Sequence, residues 1–149
     1  MKNTFFFLSV ILLLASCGGS KKAKSSSTGL FLTGTKWTVL KIQDVMSTGS
    51  MNSRTLELTL PDKKGTGTIS GNGGCNLFNG GYTSEKGTKK IQFTNIAATK
   101  MMCGEDKQEQ KFFNALNSVN SYELSGNILK LYSGGELSLT LEGVNIVKK

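Results

Sequence analysis

The sequence predicts a mainly β (α+β) fold, a strongly curved antiparallel sheet or partly open β-barrel packed by one amphipathic helix. Three observations lead there. Short runs in which apolar and polar residues alternate with period two recur along most of the chain, separated by Gly/Asn/Ser turn segments. The composition has 18 Gly, 1 Pro and 38% apolar residues, which suits tight turns and would weaken a helix bundle. A single stretch changes to helical period.

At 149 residues the chain allows one domain with appendages. Composition shifts place a leader at 1–16, a flexible linker at 17–33, the folded domain at 34–145 and a basic tail at 146–149. The first expected strand is Thr35–Ile42 (TKWTVLKI), with Trp37 and Val39 on one face and Trp37, the only Trp, as a core anchor. Asp44–Ser53 reads as a polar loop. Arg54–Leu60 (RTLELTL) alternates cleanly, which points Leu56, Leu58 and Leu60 inward, and Pro61–Gly65 stops it as a turn.

Gly67–Ser70 leads into the most constrained stretch of the chain, Gly71–Tyr82 (GNGGCNLFNGGY). Its glycines and asparagines demand positive-φ or close-approach backbone, and Asn72-Gly73 and Asn79-Gly80 each match the dipeptide preferred in type I′ turns. Phe78 and Tyr82 are expected to bury their rings on either side of the second turn. Lys89–Ile96 follows with Ile91 and Phe93 facing together. In Asp106–Val119, Phe112, Ala115, Leu116 and Val119 recur at helical spacing, with Glu105, Asp106 and Glu109 near the amino end, where carboxylates favour the dipole and cap or solvate the helix. Its apolar stripe should cover an open edge or mouth of the sheet. Strands Ser121–Leu124, Ile128–Tyr132 and Glu136–Leu141, joined by Ser-Gly-Asn and Ser-Gly-Gly, complete a meander.

The amino terminus reads as an address. As a helix the apolar run Phe5–Leu14 would rise about 15 Å, short of a hydrocarbon core of about 30 Å, so it reads as a signal-peptide core. Leu14-Ala15-Ser16-Cys17 is similar to the lipobox of bacterial lipoproteins, which implies lipidation at Cys17, cleavage before it and a membrane partner through the acyl chains. The spacer Gly18–Gly29 would reach at most about 40 Å. Gly18 stands where an inner-membrane retention signal would place aspartate, which implies the outer membrane of a cell envelope.

The absence of His removes Ser-His-Asp triads, Cys-His dyads, HExxH zinc sites and any histidine base. The charge of +8 would suit an anionic partner, yet the basic residues cluster in linker and tail or scatter among acids, with no aromatic-interleaved stripe for nucleic acid. The Gly-rich segment matches neither phosphate-loop pattern and is not followed by a helix. Two thiols without histidine form an incomplete zinc set, so neither a metal nor a cofactor is expected. Met101 and Met102 read as core fillers, with a copper–thioether site as the alternative.

Trp37, the run Ser70–Tyr82 with Gly71, Gly73, Gly74, Asn76, Gly80 and Tyr82, the segment Ala98–Cys103 with Thr99 and Met101, and a Glu-rich helix with Phe112 and Leu116 together resemble the META domain, an HslJ-like family. The resemblance covers about Thr33 to Gly143. It implies a β-rich, barrel-like fold with a packed helix, no established catalytic residues, and the association of bacterial members with stress and antibiotic tolerance. In an exported domain Cys75 and Cys103 are expected to form a disulfide, closing a loop of about 29 residues that adds roughly 3.6 kcal/mol on a chain-entropy estimate; two buried thiols are the alternative, and the CxxC spacing of a redox-active pair is missing. The functional expectation is a non-enzymatic envelope lipoprotein that binds a protein or envelope component. A lipocalin-like small-molecule carrier and a secretion-channel pilot-like lipoprotein are the alternatives.

Overall fold

Period-two alternation organises the first strand, β1 (Thr35–Ile42), which buries Trp37 and Val39. A bulge between Val39 and Lys41 then shifts the phase by one residue, so that Ile42 faces the core in place of Lys41. The computed structural model describes residues 29–48, 52–104 and 107–145. In chain order the other elements are β2 (Val45–Met46), β3 (Thr55–Leu58), β4 (Thr66–Asn72), β5 (Leu77–Ser84), β6 (Ile91–Ala98), α1 (Lys107–Ser118), β7 (Ser121–Ser125), β8 (Ile128–Ser133) and β9 (Glu136–Asn145). The pairings are antiparallel and run β6-β5-β4-β3-β1-β9-β8-β7, with β2 hairpinned onto β1.

The sheet curls without closing into a barrel. Its end strands β6 and β7 touch at a bridge between Lys90 and Ser121, supported by Ile91 N–H to Asn120 O (3.2 Å) and Tyr122 N–H to Lys89 O (2.9 Å). Helix α1, the connection between those two edges, packs on β6, β9 and β1 and covers the open flank. Phe112 and Leu116 enter the interior beside Trp37, Leu56, Ile69, Phe93, Leu129, Leu131, Leu139 and Leu141. Side chains therefore fill the space that the sheet encloses.

The two ends of the curled sheet differ. At the amino-terminal end Leu30 and Leu32, assigned by composition to the linker, pack against the core, and Trp37 Nε1–H donates to Leu32 O (2.9 Å). Thr35 Oγ1 donates to Phe31 O (2.7 Å), which fixes the incoming chain. At the opposite end lie the β1–β2 hairpin, the β4–β5 turn and the start of α1, joined by Asn52 N–H to Gly74 O (3.0 Å) and Thr48 N–H to Gln108 Oε1 (3.0 Å). The leader, Cys17, most of the linker, Glu105, Asp106 and the basic tail lie outside the described residues.

Three expectations from the sequence need correction. Asn79-Gly80 is no turn: it lies within β5, at a bulge against β6. Glycine is required there for space, because a Cβ on Gly80 would come within 2.6 Å of Ile96 Cδ1 and 2.9 Å of Thr94 O. Phe78 and Tyr82 accordingly lie on one strand and point to one face. The expected loop Asp44–Ser53 begins with β2, since Gln43 adopts φ 53° and turns the chain back onto β1. Leu60 is 81% exposed because β3 ends at Leu58, before the alternation reaches it. Leu58→Ala should therefore cost about 2–5 kcal/mol in denaturant unfolding, and Leu60→Ala under about 0.5 kcal/mol; similar losses at both positions would contradict the strand boundary.

Candidate functional site

The β4–β5 turn is built to receive the helix. Asn72 Oδ1 accepts from Gly74 N–H (2.7 Å), and Gly73 N–H donates to Asn76 O (2.7 Å), which closes the turn on itself. A Cβ on Gly73 would meet the Phe113 ring at 2.6 Å and Glu109 Oε1 at 2.7 Å, so only glycine lets α1 sit this close. Gly74 has φ 117°, and Gly71 on β4 lies against the Phe78 ring. Behind the turn Phe78, Phe112 and Phe113 form an aromatic group with centroids 5.3–5.7 Å apart, two of the three pairs edge-to-face.

Asn76 is the hub of the site. Its backbone N–H donates to Glu109 Oε1 (2.7 Å) and its Nδ2 to Glu109 Oε2 (2.7 Å), while Cys75 N–H adds a third bond to Oε1 (3.1 Å). In the other direction Asn76 Oδ1 accepts from Thr99 Oγ1 (2.9 Å) and Met101 N–H (2.7 Å). Thr99 also accepts from Leu77 N–H (3.2 Å) and donates its own N–H to Leu77 O (2.9 Å). A disulfide joins Cys75 to Cys103, with Cα atoms 5.9 Å apart, within the usual range. The turn, the start of α1 and the segment after β6 thus form one cross-braced unit.

Electrostatics reinforce it. Partial burial pushes the Glu109 carboxyl up, but hydrogen bonds from the Asn76 backbone and side chain and from Cys75, together with the Arg54 charge, outweigh it and hold the carboxyl below its ordinary value. Arg54 is buried, and its Nη1 donates to Ser47 Oγ (3.2 Å) and Thr48 O (3.4 Å). Gln108 Nε2 donates to Met46 O (3.1 Å), so neighbouring residues of α1 hold both the hairpin and the turn. Glu109 acts here as an ionised acceptor whose two oxygens are both engaged, and the paired cysteines offer no thiolate. Among the described residues no group of His, Cys, Asp and Glu could hold a metal ion.

The braced unit displays apolar side chains. Leu77 and Met101 are 60% and 61% exposed, and Met102 is fully exposed. This corrects the reading of the two methionines as core fillers: backbone bonding of Met101 to Asn76 and the disulfide hold the segment along the rim, where neither side chain reaches the interior. Of the residues singled out from sequence, Gly73, Gly74, Cys75, Asn76, Thr99, Met101 and Cys103 converge here. Trp37 and Tyr82 belong to the core, Tyr82 donating its hydroxyl to Thr59 O, and Gly80 belongs to the bulge. Sequence reasoning missed Arg54 and Phe113 and gave Glu109 only to capping and solvation. Arg54 is the single arginine of the chain, a signal that one basic position needs a planar fork where Lys serves elsewhere.

A family model, the META domain, matches residues 31–143. No curated protein matches. An NMR structure of a protein from Burkholderia xenovorans superposes with TM-score 0.56 at 24% identity, covering 76% of this chain and 83% of that one. A second protein solved by NMR gives TM-score 0.56 at 18% identity, covering 78% and 94%. At these identities the likeness shows the fold alone.

Glu109→Gln keeps an acceptor for the turn but sets a second NH₂ against Asn76 Nδ2, and should cost about 1–3 kcal/mol. Because the folded carboxyl titrates below the ordinary value of 4.5, its contribution is complete above that pH and is lost as pH falls through the folded value. Urea midpoints measured from neutral to acid pH should therefore fall less steeply for Glu109→Gln than for the wild type; parallel curves would contradict the clamp. Cys75→Ser with Cys103→Ser should lower stability by about 2–4 kcal/mol by the same measurement.

Proposed function

The chain belongs to the META-domain family, and on that premise we propose that it is a non-enzymatic, lipid-tethered module of the cell envelope that binds a protein or envelope component. Its role on this reading is envelope integrity or tolerance of stress and antibiotics, as the family resemblance implies. One observation carries the proposal: Leu77, Met101 and Met102 are exposed on a rim that a disulfide and the Asn76–Glu109 hydrogen bonds hold rigid. Apolar side chains carried on a backbone fixed before contact add no backbone ordering cost on binding, which favours recognition.

Geometry adds support. The chain comes in at the end opposite the disulfide, so an acyl anchor at Cys17 would join the domain at the end away from this rim and leave the rim free for partners. The interior packed with Phe112, Leu116 and the strand side chains favours a surface-binding module over a carrier that needs a cavity.

In-cell crosslinking with mass spectrometry tests this reading, comparing the wild type with Cys17→Ser and with Leu77→Asp/Met102→Asp. A partner captured by the wild type should be lost in both variants, while unfolding midpoints of the rim variant stay within about 0.5 kcal/mol of wild type. Equal capture by the rim variant would remove the rim from recognition. A small molecule retained by the detergent-extracted protein in native mass spectrometry, with no protein captured, would replace the reading with the carrier.

A further inference from the structure

The amino-terminal end of the sheet has its own exposed chemistry. Phe31 is 79% and Leu60 81% exposed, and neither has a place in the core. Around them the turns after β3 and β5 carry Lys63, Lys64, Lys86, Lys89 and Lys90, all exposed, against the carboxylates Asp62 and Glu85. The five lysines outnumber the two carboxylates, so the group keeps a positive excess. Asp62 Oδ1 is spent within its own turn, accepting from Lys64 N–H (2.8 Å) and Thr66 N–H (2.9 Å), and Glu85 pairs with Lys90 (3.1 Å). An open recess of about 380 Å³ runs between Phe31, Pro61, Lys86 and Lys89, and the turn that follows Pro61 carries Lys63 and Lys64 beside it.

We propose that this face rests directly on an anionic lipid bilayer, with Phe31 and Leu60 entering the headgroup layer and the lysines meeting lipid phosphates. Two observations select that occupant. The charge complements acidic lipid, and apolar side chains near lysines suit an interface that is apolar beneath and anionic above. The residues ahead of Gly29, which include the apolar run Phe5–Leu14 and Cys17, also leave the domain at this end, where Leu30 and Leu32 pack and Phe31 O accepts from Thr35. The inference deepens the tethered-module reading and rests on it for proximity. A tether alone would let the domain tumble, whereas a docked base fixes which end faces outward.

The test uses the full chain, extracted from cells in detergent and reconstituted into vesicles with brominated acyl chains. Phe31→Trp, Leu60→Trp and Leu77→Trp report contact with the bilayer, and the native Trp37 is fully buried and supplies a constant background. Phosphatidylglycerol vesicles should quench the added Trp at positions 31 and 60 and spare it at 77. That quenching should be lost in phosphatidylcholine vesicles, in about 0.5 M salt, and on Lys63→Glu/Lys64→Glu/Lys86→Glu. Flotation with vesicles while positions 31 and 60 are quenched no more than 77 overturns the bilayer face and leaves the tether standing; this is also the outcome if the face binds an acidic protein. Quenching that persists unchanged in Cys17→Ser supports the face and shows that it docks without help from acyl chains, and failure of the wild type to float on anionic vesicles overturns both face and tether.

Discussion

The Glu109 carboxylate accepts from the backbone of Cys75, the backbone of Asn76 and the side chain of Asn76, and through those bonds α1 is fixed to the sheet. Without that attachment the helix would keep Phe112, Leu116 and Phe113, which specify depth of burial, and the Gln108 bonds to the hairpin, but nothing directional would hold it to the β4–β5 turn. Hydrogen bonds to a charged acceptor are short and directional, so they set the position that apolar contacts leave loose. Gly73 is the steric counterpart of this attachment, and Arg54 the electrostatic one. The same turn carries Cys75, so the attachment also aligns the half-cystine that holds the exposed methionine segment.

Much of the fold was legible in the sequence. Trp37, Leu56, Phe93 and Leu116 stand at spacings that only one secondary structure would bury, and the structure places them inside. The errors have physical causes. Asn79-Gly80 is a turn by dipeptide preference, but a glycine also suits a bulge, and the choice depends on Ile96 across the ladder. Leu60 continues an alternation whose strand has already ended.

The site was legible in part. The density of glycine and asparagine in Gly71–Tyr82 and the two cysteines marked the turn and its covalent partner. Glu109 could not be recognised, because its ligands lie more than thirty residues away and carry no mark of that contact beyond a permissive glycine. Met101 and Met102 were misjudged because hydropathy describes a side chain's preference and says nothing of a backbone held at the rim by Asn76. What the turn contributes is therefore display: polar bonds and a cross-link hold apolar groups where water meets them.

The pairing of β1 with β9 bears on how the chain acquires this shape. The first full strand lies between β3 and the last strand, so its ladder joins residues separated by nearly the whole domain. A ribosome delivers the amino terminus first, and Trp37 must wait for Leu139 and Leu141 before its surroundings are complete. Such long-range closure makes folding slow and late, and leaves one side of β1 open meanwhile. A chain cut before Glu136 would therefore leave Trp37 without the strand that completes its side of the core, so the shape depends on the last strand as much as on the first.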